Sequence, residues 1–312
     1  MKFIDLHCDT IDRLLVDKTD NKLNKNLHCV DIEKLIKGEC LAQTFALYVD
    51  IDEHTDPYLH CMNMAKKFHE EIKLNSDLIN LATNYKQIIE NEKNNKISAL
   101  LAIEEGAVLE GDINKLIEFY NLGVRMITLT WNHENEIGYP HVRSEFKEKG
   151  LKSFGLEVVE KMNELGMIVD VSHLSDLGFY DVARISKKPF IATHSNARFI
   201  TNHSRNLTDD MIKVLANKGG VTGINFCSAF IGNTSMAMID GMVKHIKHIK
   251  NVGGIESIAL GSDFDGIDCP VEIKDVSEMG KLAIKLEQEG FTIDEIEKIY
   301  YKNASRVIKD VM

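Results

Sequence analysis

Imidazoles and carboxylates recur at the ends of short apolar runs. His7 and Asp9 close the first run, Glu104 the third, His173 the fifth, His194 the sixth, and Asp263 the eighth. In a strand, residues i and i+2 point the same way, so His7 and Asp9 are expected to share one face, with Cys8 turned away. One imidazole and one carboxylate suit Zn²⁺ or a similar borderline ion. His173 and His194 suit a second ion. Glu104 is the candidate bridge, because a carboxylate has two oxygens and can span metals about 3.5–4 Å apart. So many acids converging without cations would repel one another. Two metals acidify a water and polarise a carbonyl, so the expected reaction is hydrolysis of an amide or ester. Asp263 is the candidate proton shuttle from water to leaving nitrogen. No G-x-S-x-G elbow and no cysteine signature offers a protein nucleophile instead.

Eight apolar runs must position these residues: Lys2–Leu6, Gln43–Val49, Ile97–Ile103, Val124–Thr130, Met167–Ser172, Pro189–Thr193, Gly220–Phe226 and Ser257–Gly261. Between them lie amphipathic stretches with helix signals. Pro57–Leu74 follows the N-cap type residue Asp56. Leu151–Leu165 ends at Gly166. Thr208 precedes two acids. Ser235–Val252, Val276–Glu289 and Thr292–Tyr301 follow the same logic. Strand and helix alternating eight times predict a (β/α)8 TIM barrel, α/β in class and of the metallo-dependent hydrolase type. Its active site is expected at the C-terminal ends of the strands. An open doubly wound sheet is disfavoured, since no G-x-G-x-x-G follows the first strand. Only 4 prolines and no linker-like stretch occur, so residues 1–312 are expected to form one catalytic domain.

Composition narrows the function class. Lys plus Arg number 37 and Asp plus Glu 48, a formal charge of −11. That argues against binding a phosphate backbone or an anionic membrane. No transmembrane run and no signal peptide are read at the N-terminus, and the six cysteines form no C-x-x-C pair. They read as reduced thiols in a cytoplasmic protein. Of the 12 histidines, His28, His54, His60, His69, His141, His203, His245 and His248 are expected mostly at the surface. His133 sits just beyond the fourth run. Arg205 follows the sixth, and as a guanidinium it matches a carboxylate bidentately, although an ordinary surface arginine reads equally well.

The motifs Ile4-Asp5-Leu6-His7-Cys8-Asp9, Ile103-Glu104, Asp170-Val171-Ser172-His173, Thr193-His194-Ser195-Asn196-Ala197, Arg205-Asn206 and Gly261-Ser262-Asp263-Phe264-Asp265-Gly266 stand in an order that resembles the membrane dipeptidase family of zinc peptidases. The resemblance spans essentially the whole chain. It implies a zinc held by His7, Asp9 and Glu104 and a second held by Glu104, His173 and His194. It further implies Asp263 as the acid/base residue, with Arg205 and the adjoining Asn206 at the C-terminal carboxylate of a dipeptide, and tolerance of a D-residue at that C-terminal position. A homodimer is also what the family suggests. Two positions depart from its pattern. The mammalian members carry a histidine where Trp131 stands, leaving His133 as the catalytic candidate for that role. The glycine that usually follows the bridging glutamate is Glu105. Absence of the animal members' anchor points to a bacterial cytoplasmic member. The rival readings are another amidohydrolase-type barrel, such as a deacetylase or lactonase, or a non-catalytic barrel binding a small ligand. The first usually opens with H-x-H, where Asp9 stands here. The second would be expected to have lost a ligand or Asp263.

Overall fold

The computed structural model describes residues 1–16, 21–232 and 234–312. Its strands are β1 (Phe3–Asp5), β2 (Cys40–Tyr48), β3 (Ile79–Leu81), β4 (Ile97–Glu104), β5 (Val124–Thr128), β6 (Ile168–Asp170), β7 (Thr222–Ile224) and β8 (Ile258–Leu260). They pair in parallel in the order β6-β5-β4-β2-β1-β8-β7, with β3 off the path against β4. The sheet closes through segment 189–193. Ile191 bridges Asp170 of β6, and Ala192 bridges Thr222 of β7. This is the (β/α)8 architecture expected from the alternation of runs and helices.

Two details differ from the sequence reading. The sixth stave is held by single bridges rather than a continuous ladder. β3 was not anticipated, because three residues are too few to show a period. It covers the start of β4 at Ile79↔Ile97, and β5 takes over that edge from Leu101↔Val124.

Alternation along β4 shows how the barrel is layered. Leu100 and Ala102 join Ile4, Leu6, Met126, Ile168, Ile191, Val221 and Ala259 in the barrel interior. Ala99, Leu101 and Ile103 face the helices. Glu104 has the parity of Leu100 and Ala102, so it emerges at the top of the interior. The helix Asn303–Val311 lays Ala304, Val307, Ile308 and Val311 against that interior cluster and plugs its lower end. On one side the staves approach very closely. A Cβ at Gly223 or Gly261 would lie 1.9 or 1.8 Å from the Thr193 carbonyl oxygen, so only glycine fits there.

The helices begin and end near the predicted signals. Asp56 accepts from the Leu59 amide ahead of Pro57–Leu74, and Gly166 ends Ser153–Leu165 in the left-handed conformation at φ 71°. The Ser235–Val252 expectation starts late, at Ile239. Among the described residues no helix is long and apolar enough to cross a membrane.

Candidate metal centre

The ladder of β1 runs past its last assigned residue. The Cys8 amide donates to the Thr44 carbonyl and the Asp9 amide to the Phe264 carbonyl, 3.1 and 3.0 Å. Held from both sides, His7 and Asp9 reach the barrel mouth beside Glu104, His173, His194 and Asp263. None of the six is more than 9% exposed.

Glu104 is the centre of the group. Its Oε2 lies 3.1 Å from His7 Nε2. Its Oε1 lies 3.1 Å from His173 Nε2 and 3.4 Å from His194 Nε2. His7 Nε2 is also 3.3 Å from Asp9 Oδ2 and 3.9 Å from Asp263 Oδ1. Two triads of potential ligand atoms share Glu104, one of His7, Asp9 and Glu104 and the other of Glu104, His173 and His194, and a further triad of His7, His194 and Asp263 overlaps both.

Proton positions on the second triad follow from its outer partners. The Thr193 hydroxyl lies 2.5 Å from Asp170 Oδ2 and 2.7 Å from His194 Nδ1. Asp170 Oδ1 is already filled by the Ser172 and Thr193 amides, and Oδ2 also takes the Thr128 hydroxyl. Burial alone would raise the Asp170 carboxyl, but His194 and these donors outweigh it and hold it lowered and ionised. The threonine hydroxyl therefore donates to Asp170 and accepts from His194 Nδ1–H. The Asn132 side-chain oxygen likewise accepts a hydrogen bond from His173 Nδ1–H at 3.2 Å. Both Nε2 atoms are left as bare lone pairs, 3.1 Å apart and aimed at a carboxylate oxygen. That arrangement is repulsive unless a cation sits among the atoms. Carboxylate-braced imidazoles of this kind are how proteins orient metal ligands.

The first triad fits a cation as well. His7 Nε2 and both Asp9 oxygens are buried with no hydrogen-bond partner. Burial, then Glu104 and Asp263, pushes the Asp9 carboxyl up to about 8, although His7 opposes this. Burial and Arg205 draw His173 down to about 4, and burial and His7 do the same to His194, so both imidazoles are neutral and available as ligands. Gly266 completes the cradle, since a Cβ there would lie 2.1 Å from Asp9 Oδ2. The donor set of three imidazoles and two carboxylates suits zinc-like ions.

Two residues of the site hold left-handed backbone without being glycine, His173 at φ 65° and Asp263 at φ 63°. Such conformations cost roughly 1–3 kcal/mol each and persist where surroundings enforce them. The His141 amide donates to the His173 carbonyl at 2.8 Å, and the Asp263 amide donates to the His7 carbonyl at 3.2 Å. Asp263 Oδ2 accepts from Asn225 Nδ2 at 2.9 Å. That leaves Oδ1 facing His7 and the site.

Arg205 is buried rather than a surface residue. Its guanidinium donates to Ser195 Oγ and the His194 carbonyl, each at 3.0 Å, while Nε is buried without a partner. Asn206 does not offer its amide to the mouth. Nδ2 donates to the Thr201 and Phe230 carbonyls at 2.9 Å each, and Oδ1 accepts from the Asn196 amide. It braces the loop that carries Arg205. His133 lies outside the six-residue group, with Nε2 3.0 Å from Asp50 Oδ1 and Nδ1 3.7 Å from Asp52 Oδ2. The Trp131 ring stands beside both His133 and His173. Of the eight histidines expected mostly at the surface, one is buried and the other seven are half-buried. His245 is fully buried, accepting from the Ala197 amide. His141 is half-buried beside His173 and His203.

Glu105 is buried too. Its carboxylate accepts from the Ala107 and Trp131 amides at 2.8 and 3.0 Å, and from Asn135 Nδ2. Burial nevertheless pushes its carboxyl up to about 7. Its backbone stands at φ 99°, where glycine is at ease and glutamate is strained. Glu105→Ala is therefore expected to lose about 2–4 kcal/mol, forfeiting the hydrogen bonds and keeping the strain. Glu105→Gly should recover about 1–2 kcal/mol of that loss. Urea unfolding of both variants checks this, and equal stabilities would contradict the strain argument.

Known proteins point the same way. The family model described as membrane dipeptidase (peptidase family M19) matches residues 1–312. An uncharacterized dipeptidase of Schizosaccharomyces pombe is 33% identical over 296 residues, 89% of this chain and 71% of that protein. Two crystal structures share the fold at a TM-score of 0.93. One is dipeptidase AC, a metallopeptidase of family M19, 23% identical, covering 100% of this chain and 98% of that one. The other is a metallopeptidase from Rhodobacter sphaeroides liganded with a phosphinate mimic of the dipeptide L-Ala-D-Ala, 22% identical, covering 100% of this chain and 99% of that one.

Proposed function

The chain belongs to the membrane dipeptidase family, peptidase family M19, and on that premise we propose that it hydrolyses the peptide bond of dipeptides at two zinc ions bridged by Glu104, with residues 1–312 acting as one catalytic domain. The observation that carries this reading is the division of Glu104. One oxygen faces His7 and the other faces His173 and His194. Zinc bound by His7, Asp9 and Glu104, and by Glu104, His173 and His194, would acidify a water and polarise the scissile carbonyl.

The remaining work falls to the chain's own residues. Asp263 Oδ1 takes the proton of the attacking water and delivers it to the leaving amine. Asn225 occupies Oδ2, so the carboxylate has one oxygen free and one orientation. The neutral His173 and His194 keep their protons on Nδ1, through Asn132 and Thr193, and take no part in proton transfer. Arg205 supplies a buried positive charge with an unpartnered Nε beside the site. A dipeptide's C-terminal carboxylate is the anion that charge suits, and a free carboxylate one residue from the cut distinguishes dipeptides from longer peptides. The neighbour's L-Ala-D-Ala mimic makes L-Ala-D-Ala, alongside L-Ala-L-Ala, the first substrate to assay.

Replacing Arg205 tests the substrate class. Arg205→Ala is expected to lower kcat/KM for dipeptides on the order of 10- to 100-fold, the range for a lost hydrogen bond to a charged group. Amide-capped dipeptides should be poor substrates of both proteins, with little further loss in the variant. An equal proportional loss on free and capped substrates, at unchanged metal content, would remove the carboxylate role.

A further inference from the structure

Two half-buried cysteines meet at the rim, one on the loop after β7 and one on the loop after β8. The side chains of Cys227 and Cys269 interact. The Ser228 amide donates to the Cys269 sulfur at 3.2 Å. Cys8, Cys40 and Cys61 are buried, by contrast, and burial raises all three thiols. We propose that Cys227 and Cys269 form a reactive dithiol that small-molecule disulfides convert to a disulfide bond between these two loops.

The chemistry assigns each sulfur a role. The hydrogen bond with Cys227, followed by the Ser228 donors, outweighs partial burial and draws the Cys269 thiol down to about 5. Cys269, whose sulfur accepts the Ser228 amide at 3.2 Å, is the better stabilised as thiolate, the form that attacks. It attacks one sulfur of R–S–S–R, forming Cys269–S–S–R and expelling R–S⁻. Cys227 then gives up its proton to a departing thiolate and attacks the Cys269 sulfur, expelling the second R–S⁻. Two protein thiols are oxidised and one disulfide is reduced to two thiols.

The pair is wired to the proposed acid/base residue. The Cys227 amide donates to Asn225 Oδ1 at 2.6 Å, and Asn225 Nδ2 holds Asp263 Oδ2. Cys269 follows Asp263 in the same loop, across the turn in which the Gly266 amide donates to the Asp263 carbonyl. A bond of about 2.05 Å needs the sulfurs closer than a hydrogen bond leaves them, so oxidation must draw the loops together around Asp263. Displacements near 1 Å at a catalytic group are costly.

The test treats zinc-loaded protein with oxidised glutathione and reads peptides by mass under non-reducing conditions. A Cys227–Cys269 linked peptide is expected. Cys227→Ser should accumulate glutathione on Cys269, and Cys269→Ser should form neither species. Absence of the linkage, or glutathione on Cys227 in Cys269→Ser, would overturn the proposal. A second reading follows kcat for L-Ala-D-Ala, and this arm rests on the dipeptidase reading. The cross-linked enzyme should lose roughly tenfold, restored by a phosphine reductant, while the double serine variant should not respond. Full turnover by cross-linked enzyme would overturn the coupling to Asp263. The mass arm needs no turnover, so failure of the cross-link and failure of the dipeptidase reading remain distinguishable.

Discussion

Replacing Glu104 with Gln is expected to remove activity by about three orders of magnitude or more, corresponding to loss of several kcal/mol of transition-state stabilisation. The swap keeps size and shape, so the cost is electrostatic. Glutamine offers one oxygen where two are needed. Its NH2 would face either His7 on one side or His173 and His194 on the other. The two imidazole Nε2 lone pairs of the second triad, 3.1 Å apart, would lose the anion that helps gather a cation between them. Zinc content measured after dialysis should therefore fall from two per chain to one or fewer. The thermal midpoint of the holoprotein should fall with it, because ligand binding to the native state adds to stability. Two retained zinc ions with full turnover would contradict the bridge.

Asp263→Asn should separate chemistry from metal binding. The amide keeps an oxygen but cannot accept the water's proton. kcat is expected to fall by about 10²- to 10⁴-fold, the usual worth of a positioned acid/base group. Zinc content should stay at two, since His7, Asp9, Glu104, His173 and His194 supply the ligands in this account. KM should change far less than kcat, because the lost interaction serves the transition state more than the ground state. A variant that keeps most of its turnover would remove Asp263 from the proton path. A variant that loses zinc would show it to be a ligand, a role its Oδ1, 3.9 Å from His7 Nε2, is close enough to share.

Much of this centre was legible in the sequence because of where barrels put their chemistry. His7, Asp9, Glu104, His173, His194 and Asp263 each follow an apolar run, and the ends of parallel strands converge on one mouth. The residues that tune them left no such trace. Asp170, Thr193, Asn132 and Asn225 act through hydrogen bonds between staves that only the closed barrel brings together. Charge type also misleads when burial is unknown. Arg205 and Glu105 look like solvent residues in sequence, yet both are buried, one against Ser195 and the other against backbone amides. Asn206 shares the Arg205 motif but spends its amide on the loop. His133, one residue past Asn132, is drawn to Asp50 instead of the group around Glu104. The strand signal failed at β3, which has three residues, whereas the run Pro189–Thr193 marked the sixth stave even though two bridges hold it.

Titrating metal-free protein with zinc while following L-Ala-D-Ala hydrolysis tests the two-metal dipeptidase most directly. The account predicts no turnover without metal and full turnover only as the second equivalent binds. Full turnover of metal-free protein, saturation at one equivalent, or two bound zinc ions with no hydrolysis of any dipeptide would contradict it.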